Sequence, residues 1–298
     1  MSTISARRGS SLEQISARRR AKDWAVRILV YIAFLLAVIP LVSVLWMVIS
    51  RGLKDLNGSF LSHSMNAVTA NDPGGGVYHA IIGTLEQCLL ASLMAVPLGL
   101  MTAVYLVEYA RGGKLSRVIS FFVDVMTGVP SIVAGLFVLT FWLLGLHFDF
   151  SGFAGSMALA VLMVPTVVRT TEEMLKLVPN ELREAAAALG VPRWRTIMFV
   201  VIPTALTGII SGVMLGIARI MGETAPLLLT IFITNAINND PFHGAQGSLP
   251  TFIWDQSTTS GKYAVDRAWA GALVLIIIIM LLNLVARAVA WLRKPATR

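Results

Sequence analysis

The chain has 298 residues, 56% of them apolar and only 13% charged, with a mean hydropathy of +0.75. A water-soluble domain of that composition would leave apolar surface exposed and aggregate, so composition excludes an ordinary soluble fold. The net charge of +8 does not call for a nucleic acid, because cations gathered on one side of apolar spans are the ordinary signal for membrane insertion.

From the N-terminus, charge-free runs cover residues 28–49, 87–107, 125–148, 150–168, 197–218 and 268–286. Each holds roughly 19 residues or more, enough for a helix to cross a hydrocarbon core of ~30 Å. The expected fold is an all-α integral membrane protein of six transmembrane helices. The first run is too long for a signal-peptide core and lacks a well-placed cleavage site, so it predicts a retained anchor approached through the basic stretch ARRRAKDW. Trp24, Trp46, Trp142, Trp269 and Trp291 fall near span ends, where an amphipathic ring suits the headgroup layer.

After the first span, residues 51–79 include Asn71-Asp72-Pro73-Gly74-Gly75-Gly76, a composition that predicts a flexible connector. Asn57-Gly58-Ser59 matches a glycosylation sequon, a pattern frequent by chance. Cys88 is the single cysteine, which rules out an internal disulfide and predicts a small packing residue. His63, His79, His147 and His243 occupy separate loops or span edges without metal-site spacing. The stretch GGKLS at 112–116 lacks both the leading glycine and the hydroxyl residue directly after lysine, so no Walker loop is present. Asp124 lies within reach of the bilayer and close to Arg117, which leaves an interfacial snorkelling role open beside a functional one. Residues 235–262 place Phe252, Ile253 and Trp254 among prolines and glycines and predict a short surface helix.

The cations set an orientation. Nineteen of the 24 Lys and Arg fall before the first span, between the second and third, between the fourth and fifth, or after the last. The other side has Arg51, Lys54, Lys262 and Arg267, and Arg219 stands within a span. Both termini and the segment between the fourth and fifth spans are therefore expected to be cytoplasmic.

That segment carries the most specific pattern. Glu184, Ala185 and Ala186 are followed after three residues by Gly190, then by Val200, Ile202 and Pro203. Asn180 after Pro179 is the expected N-cap of a short helix, Glu181 and Glu184 suit its first turn, and Gly190 with Pro192 stops it. Leu182, Ala185, Ala186 and Leu189 form one narrow stripe, and Pro203 is expected to restart the chain at the membrane face. The spacing resembles the EAA loop of ABC importer permeases, with Val200 where the family has Ile and Ile202 where it has Leu. The resemblance implies a coupling loop at 172–203 through which Glu184, Ala185, Ala186, Gly190 and Pro203 engage a separate ATPase.

Arg219 and Glu223 form the second constellation. A charge within a span costs about 2.5–3.5 kcal/mol even on the mild insertion scale, and four residues along a helix would put both on one face, where they neutralise each other. Such a pair either packs the bundle or offers an arginine fork to an oxyanion in transit, with Glu223 holding the guanidinium. Three stretches, GVPSIVAGLF at 128–137, PTVVRTTEEMLKLVPNELREAAAALG at 165–190 and ARIMGETAPLL at 218–228, are similar to the PstA family of bacterial phosphate importer permeases. Arg169 matches that family's arginine in VVRTTE, and Arg219 and Glu223 match its charged ARxxGET pair.

The resemblance implies a type I importer permease in which the last five helices form a MetI-like core. Residues 1–77 then hold the basic N-terminus, first transmembrane helix and external loop, 78–292 the permease domain, and 293–298 a cytoplasmic tail. It further implies inorganic phosphate as cargo, with a homologous second permease, two ATPase subunits and an external phosphate-binding protein as partners. ATP and Mg would be bound by the ATPase, so this chain needs no cofactor and is not itself an enzyme, and it would sit as a multi-pass protein in the bacterial inner membrane. A permease for sulfate or molybdate, an ion-gradient-driven secondary transporter and a membrane sensor docking a regulator through the same loop are the alternatives.

Overall fold

The computed structural model describes residues 17–110 and 112–292. The cations Arg7, Arg8, Arg111, Arg293, Lys294 and Arg298, the tail 293–298 and the side chain of Trp291 lie outside the described residues. The chain divides into two compact units, Met1–Ile49 and Ser50–Arg298. The described part of the first is helix α1 (Ala17–Asp55) as far as Ile49. Its Leu29, Phe34, Leu36 and Ile39 are each more than half exposed, as suits a helix whose solvent is lipid.

In the second unit, α2 (Gly58–Ser62) precedes α3 (Tyr78–Val104), which runs on through a π-helical turn, Tyr105–Tyr109. Next come α4 (Lys114–Thr127) and α5 (Ser131–Val138), the latter continued by a π-helical stretch, Leu139–Gly145. α6 (Gly152–Lys176), α7 (Asn180–Ala188) and α8 (Arg193–Thr196) follow, and a third π turn, Ile197–Val201, leads into α9 (Ile202–Met221). The order closes with α10 (Ala225–Thr230), α11 (Leu249–Thr258) and α12 (Ala264–Leu292). The described residues are thus all helical, without strands.

Five stretches are long and apolar enough to cross a membrane: Arg18–Asp55, Tyr78–Tyr109, Gly152–Lys176, Arg193–Met221 and Ala264–Ala288. The expected third span, 125–148, is not one rod. α4 and α5 meet at 105°, because Pro130 lacks an N–H and forces the residue before it out of the helical region. Counted as one broken span, they bring the total to 6.

Small residues let the central helices approach. A Cβ on Gly99 of α3 would lie 2.8 Å from Cγ1 of Val167 on α6, and Cys88, Ala91 and Ala95 pack with Leu159 and Met163 in the same cluster. Gly212 and Gly216 of α9 meet Thr170 and Met163 of α6 from the other side. This is the membrane mode of helix packing, in which backbone proximity and van der Waals contact replace the hydrophobic effect.

The segment expected to be a connector is instead a cap. Phe60, Met65 and Val77 are buried with Leu249, Phe252 and Val274, and the nearly inaccessible Arg267 donates to the carbonyls of Thr69 (3.0 Å), Ala70 (3.3 Å) and Asp72 (3.3 Å). Thr69 donates to the Asp72 carboxylate from Oγ1 (2.7 Å) and N (2.9 Å), and these bonds hold that carboxyl below its usual range. Their contribution is present above the ordinary aspartate pKa and is lost as pH falls through the lowered value.

α11 is not a surface helix either. Ser248 and Thr251 form a capping box, the backbone N–H of Leu249 donates to Thr84 Oγ1 of α3 at 2.7 Å, and Leu249, Pro250, Thr251 and Phe252 are buried. Just before it, Gln246 accepts from Gln87 Nε2 (3.0 Å) and donates to Glu86 (2.6 Å). A Cβ at Gly83 would stand 2.0 Å from the carbonyl oxygen of Gly247. Gly83→Val is therefore expected to destabilise the protein by about 1–3 kcal/mol, read as a lowered Tm in detergent. Gly58→Val, at a position with nothing within 4 Å of the added Cβ, should leave Tm within experimental scatter.

Candidate functional site

The segment between α6 and α9 forms a bracket at one end of the bundle. α7 begins at Asn180 with Pro179, not Asn180, in the cap position, so the expected cap lies one residue late. Proline's fixed φ and missing N–H fit that boundary. Gly190 adopts φ +69° and ends the helix as expected; its N–H donates to Ala187 O (3.0 Å) while that of Val191 donates to Ala186 O (3.0 Å).

The stripe Leu182, Ala185, Ala186 and Leu189 lines a groove of about 630 Å³ together with Gly190, Pro192 and Phe199. Leu189 and Phe199 are 83% and 73% exposed, a large unpartnered apolar surface. Glu184 is exposed beside this groove and forms no ion pair among the described residues. Pro203 does not restart the chain. It sits inside the continuous span Arg193–Met221, in the first turn of α9 and one residue beyond the π turn Ile197–Val201, a position that tolerates the ring and the missing N–H.

Arg183 points elsewhere. Its Nε and Nη2 donate to Glu108 Oε1 at 3.1 and 2.8 Å, its Nη1 to Val178 O at 2.7 Å, and its Nη2 also to Leu175 O at 3.0 Å. Glu108, in the π turn that ends α3, is only 5% exposed.

A second charge network lies along α6. Arg169 pairs with Asp124 of α4 and, at 2.5 Å, with Glu172, and it donates to Ser120 O at 3.0 Å. Glu172 also accepts from Lys176 at 2.7 Å. Asp124 is therefore engaged by Arg169 of α6. Both terminal nitrogens of Arg169 are occupied by protein groups.

Arg219 contrasts with it. The side chain is exposed, and its single side-chain hydrogen bond among the described residues runs from Nη1 to Thr166 Oγ1 of α6 at 3.3 Å. The expected Arg219–Glu223 pair does not form. α9 stops at Met221 with Gly222 as its cap, so Glu223 lies past the helix and the four-residue spacing no longer puts the two on one face. The three expected path residues thus separate into one arginine with open donors, one arginine locked in a scaffold, and one half-buried carboxylate free of ion pairs among the described residues.

Glu108, Thr166 and Glu172 escaped the sequence reading. Glu108 directly follows the charge-free run 87–107, and that position was its only signal; the partners of all three come from other helices or depend on which face of α6 they occupy.

Residues 95–297 match the family described as "Binding-protein-dependent transport system inner membrane component". The chain is similar to the "Phosphate transport system permease protein PstA 1" of Mycobacterium tuberculosis, with 50% identity over 285 residues that take in 95% of this chain and 92% of that protein. It is also similar to the "Phosphate transport system permease protein PstA" of Yersinia pestis, at 38% identity over 97% and 98% of the two chains. Among solved structures, a chain of the MetNI methionine ABC transporter in an inward-facing conformation shares the fold with a TM-score of 0.58, at 19% identity over 74% of this chain and 95% of that one. A bacterial ABC transporter involved in import of the polysaccharide alginate gives a TM-score of 0.61 at 14% identity, over 94% and 100%.

The two arginines should respond differently to neutralisation. Arg169→Gln removes the partner of Asp124 and one partner of Glu172 and is expected to destabilise by about 1–3 kcal/mol. Arg219→Gln should change stability by no more than about 0.5 kcal/mol. Thermal unfolding of both purified variants in the same detergent makes the comparison.

Proposed function

We propose that this chain, which belongs to the family of binding-protein-dependent transport system inner membrane components, is the permease subunit of an ATP-driven importer that carries inorganic phosphate into the cytoplasm. The observation that carries the substrate is the likeness to phosphate transport permeases along nearly the whole chain. The multi-pass helical fold and the ABC transporter neighbours support the transport class.

In this reading the α7 end of the bundle faces the cytoplasm together with both termini, in a bacterial inner membrane, as the uneven spread of cations favours. The groove beside Leu182, Ala185 and Leu189, with the exposed Glu184 next to it, receives one of two ATPase subunits, which bind ATP and Mg and supply the hydrolysis. A homologous second permease completes the pathway, and an external phosphate-binding protein delivers the anion at the face capped by α2 and α11.

Arg219 is the group that meets phosphate. Its fork has donors to spare, and the planar guanidinium matches two oxygens of a phosphate at once. Thr166 Oγ1 accepts from Arg219, so its hydroxyl hydrogen remains available for a third phosphate oxygen. Glu223, half-buried beyond the end of α9, leaves the Arg219 guanidinium free for the anion instead of holding it. Arg169 acts as scaffold, keeping α4 against α6 beneath the path.

Uptake of labelled phosphate by vesicles containing this chain, its second permease, the ATPase and the binding protein tests the reading. Uptake is expected only with ATP and should resist excess sulfate; uptake that follows an ion gradient without ATP would overturn it. Arg219→Lys keeps the charge but loses the planar fork, and should lower the uptake rate about tenfold or more. Gly190→Arg, which puts a bulky side chain at a positive-φ position beside the groove, should reduce the ATPase retained when the complex is purified through this chain.

A further inference from the structure

α7 is held to the bundle by very little. Ala186 is its one buried residue, and an open cavity of about 360 Å³ beside it is lined by Glu108, Arg183, Ala187, Arg193 and Thr196. Arg183 and Glu108 meet in its wall, 2.8 Å apart. The Arg183 side chain is 21% exposed and that of Glu108 only 6%, and Glu108 has no other ion partner among the described residues. The same guanidinium takes the carbonyl of Leu175 in the last turn of α6 and that of Val178 just beyond it, where a cation satisfies backbone acceptors left open by the helix terminus. One side chain therefore grips α3 and α6 together.

Those two helices are closely packed, since Gly99 and Val167 leave no room for a Cβ between them. α6 also bears Thr166, whose contact with Arg219 on α9 is long, at 3.3 Å, and exposed. Arg193 lies over the Tyr109 ring, 5.2 Å from its centroid. The bracket is thus flanked by two π-helical turns, 105–109 and 197–201, and turns of this kind often occur where a helix must adjust.

We infer that Arg183, through Glu108 and the α6 carbonyls, is the positioning residue that carries displacement of α7 into the α3–α6 pair and so alters the Thr166–Arg219 contact. This inference rests on the reading of α7 as the ATPase-docking element of a phosphate importer. Removing the tie leaves the docking groove intact, so the ATPase still binds and hydrolyses ATP, but its movement no longer reaches the path.

The test uses the complete complex in proteoliposomes, with phosphate moved per ATP hydrolysed as the readout. The double variant Arg183→Met with Glu108→Gln removes both charges and leaves neither buried alone. It is expected to retain the ATPase and hydrolyse ATP while phosphate moved per ATP falls at least about fivefold, the low end of ordinary coupling between sites. An unchanged ratio overturns the inference and leaves the transport reading standing. Loss of the ATPase from the double variant assigns the pair to docking and overturns it as well. ATP-independent uptake by the wild-type complex removes the transport reading and the inference together. Should the double variant fail to accumulate, Glu108→Asp, which keeps both charges and shortens the reach by one methylene, is measured in the same way; a lowered ratio supports the tie and a normal one overturns it.

Discussion

Gly99 of α3 and Val167 of α6 touch at a distance that admits no side chain on the glycine, and much of the bundle is arranged around that contact. Because lipid offers no hydrophobic reward for helix association, helices of this kind are held by closeness. α6 takes α3 on one face and α9 on another, again through glycines at 212 and 216. With both neighbours so near, α6 cannot turn about its own axis without clashing, and its polar side chains keep fixed bearings. Thr166 faces α9, and Arg169 faces α4.

Fixed bearings explain why two arginines on neighbouring helices have different chemistry. In a membrane, an arginine is available to a ligand only to the extent that protein groups have left its donors open. Arg169 is surrounded by two carboxylates and a backbone carbonyl. Arg219 has one long bond to a hydroxyl. The contrast is one of supply: the end of α4 brings Asp124 to Arg169, whereas the end of α9 takes Glu223 away from Arg219. Gly222, which closes α9, therefore shapes the site as much as the charged residues do.

The spans were legible because a run of apolar residues reports its own solvent. The short helix at 180–188 and its stop at Gly190 were legible for a similar reason, since capping chemistry is local. What could not be read were facts that belong to two segments at once. The burial of α11 depends on Thr84, 165 residues away, and the anchoring of Arg183 on Glu108, 75 residues away. The connector at 51–79 looked flexible because of its turn-forming run Asn71-Asp72-Pro73-Gly74-Gly75-Gly76, but Phe60, Met65 and Val77 find a hydrophobic partner in α11 and α12. The break in the third span has a local signal in Gly128 and Pro130, but it lies within a run, 125–148, that carries no charge to mark an interruption.

The π-helical turn at 197–201 has a consequence for comparing this chain with its relatives. Such a turn absorbs one residue more than an α-helix would while the flanking stretches keep their bearings. A helical wheel drawn straight through from Arg195 to Arg219 is therefore wrong by one position, about 100°, on everything after Val201. A relative one residue shorter at this point would present its arginine to the same neighbour. The one-residue gap in such an alignment belongs inside 197–201, and placing it nearer the arginine would pair residues that face in different directions.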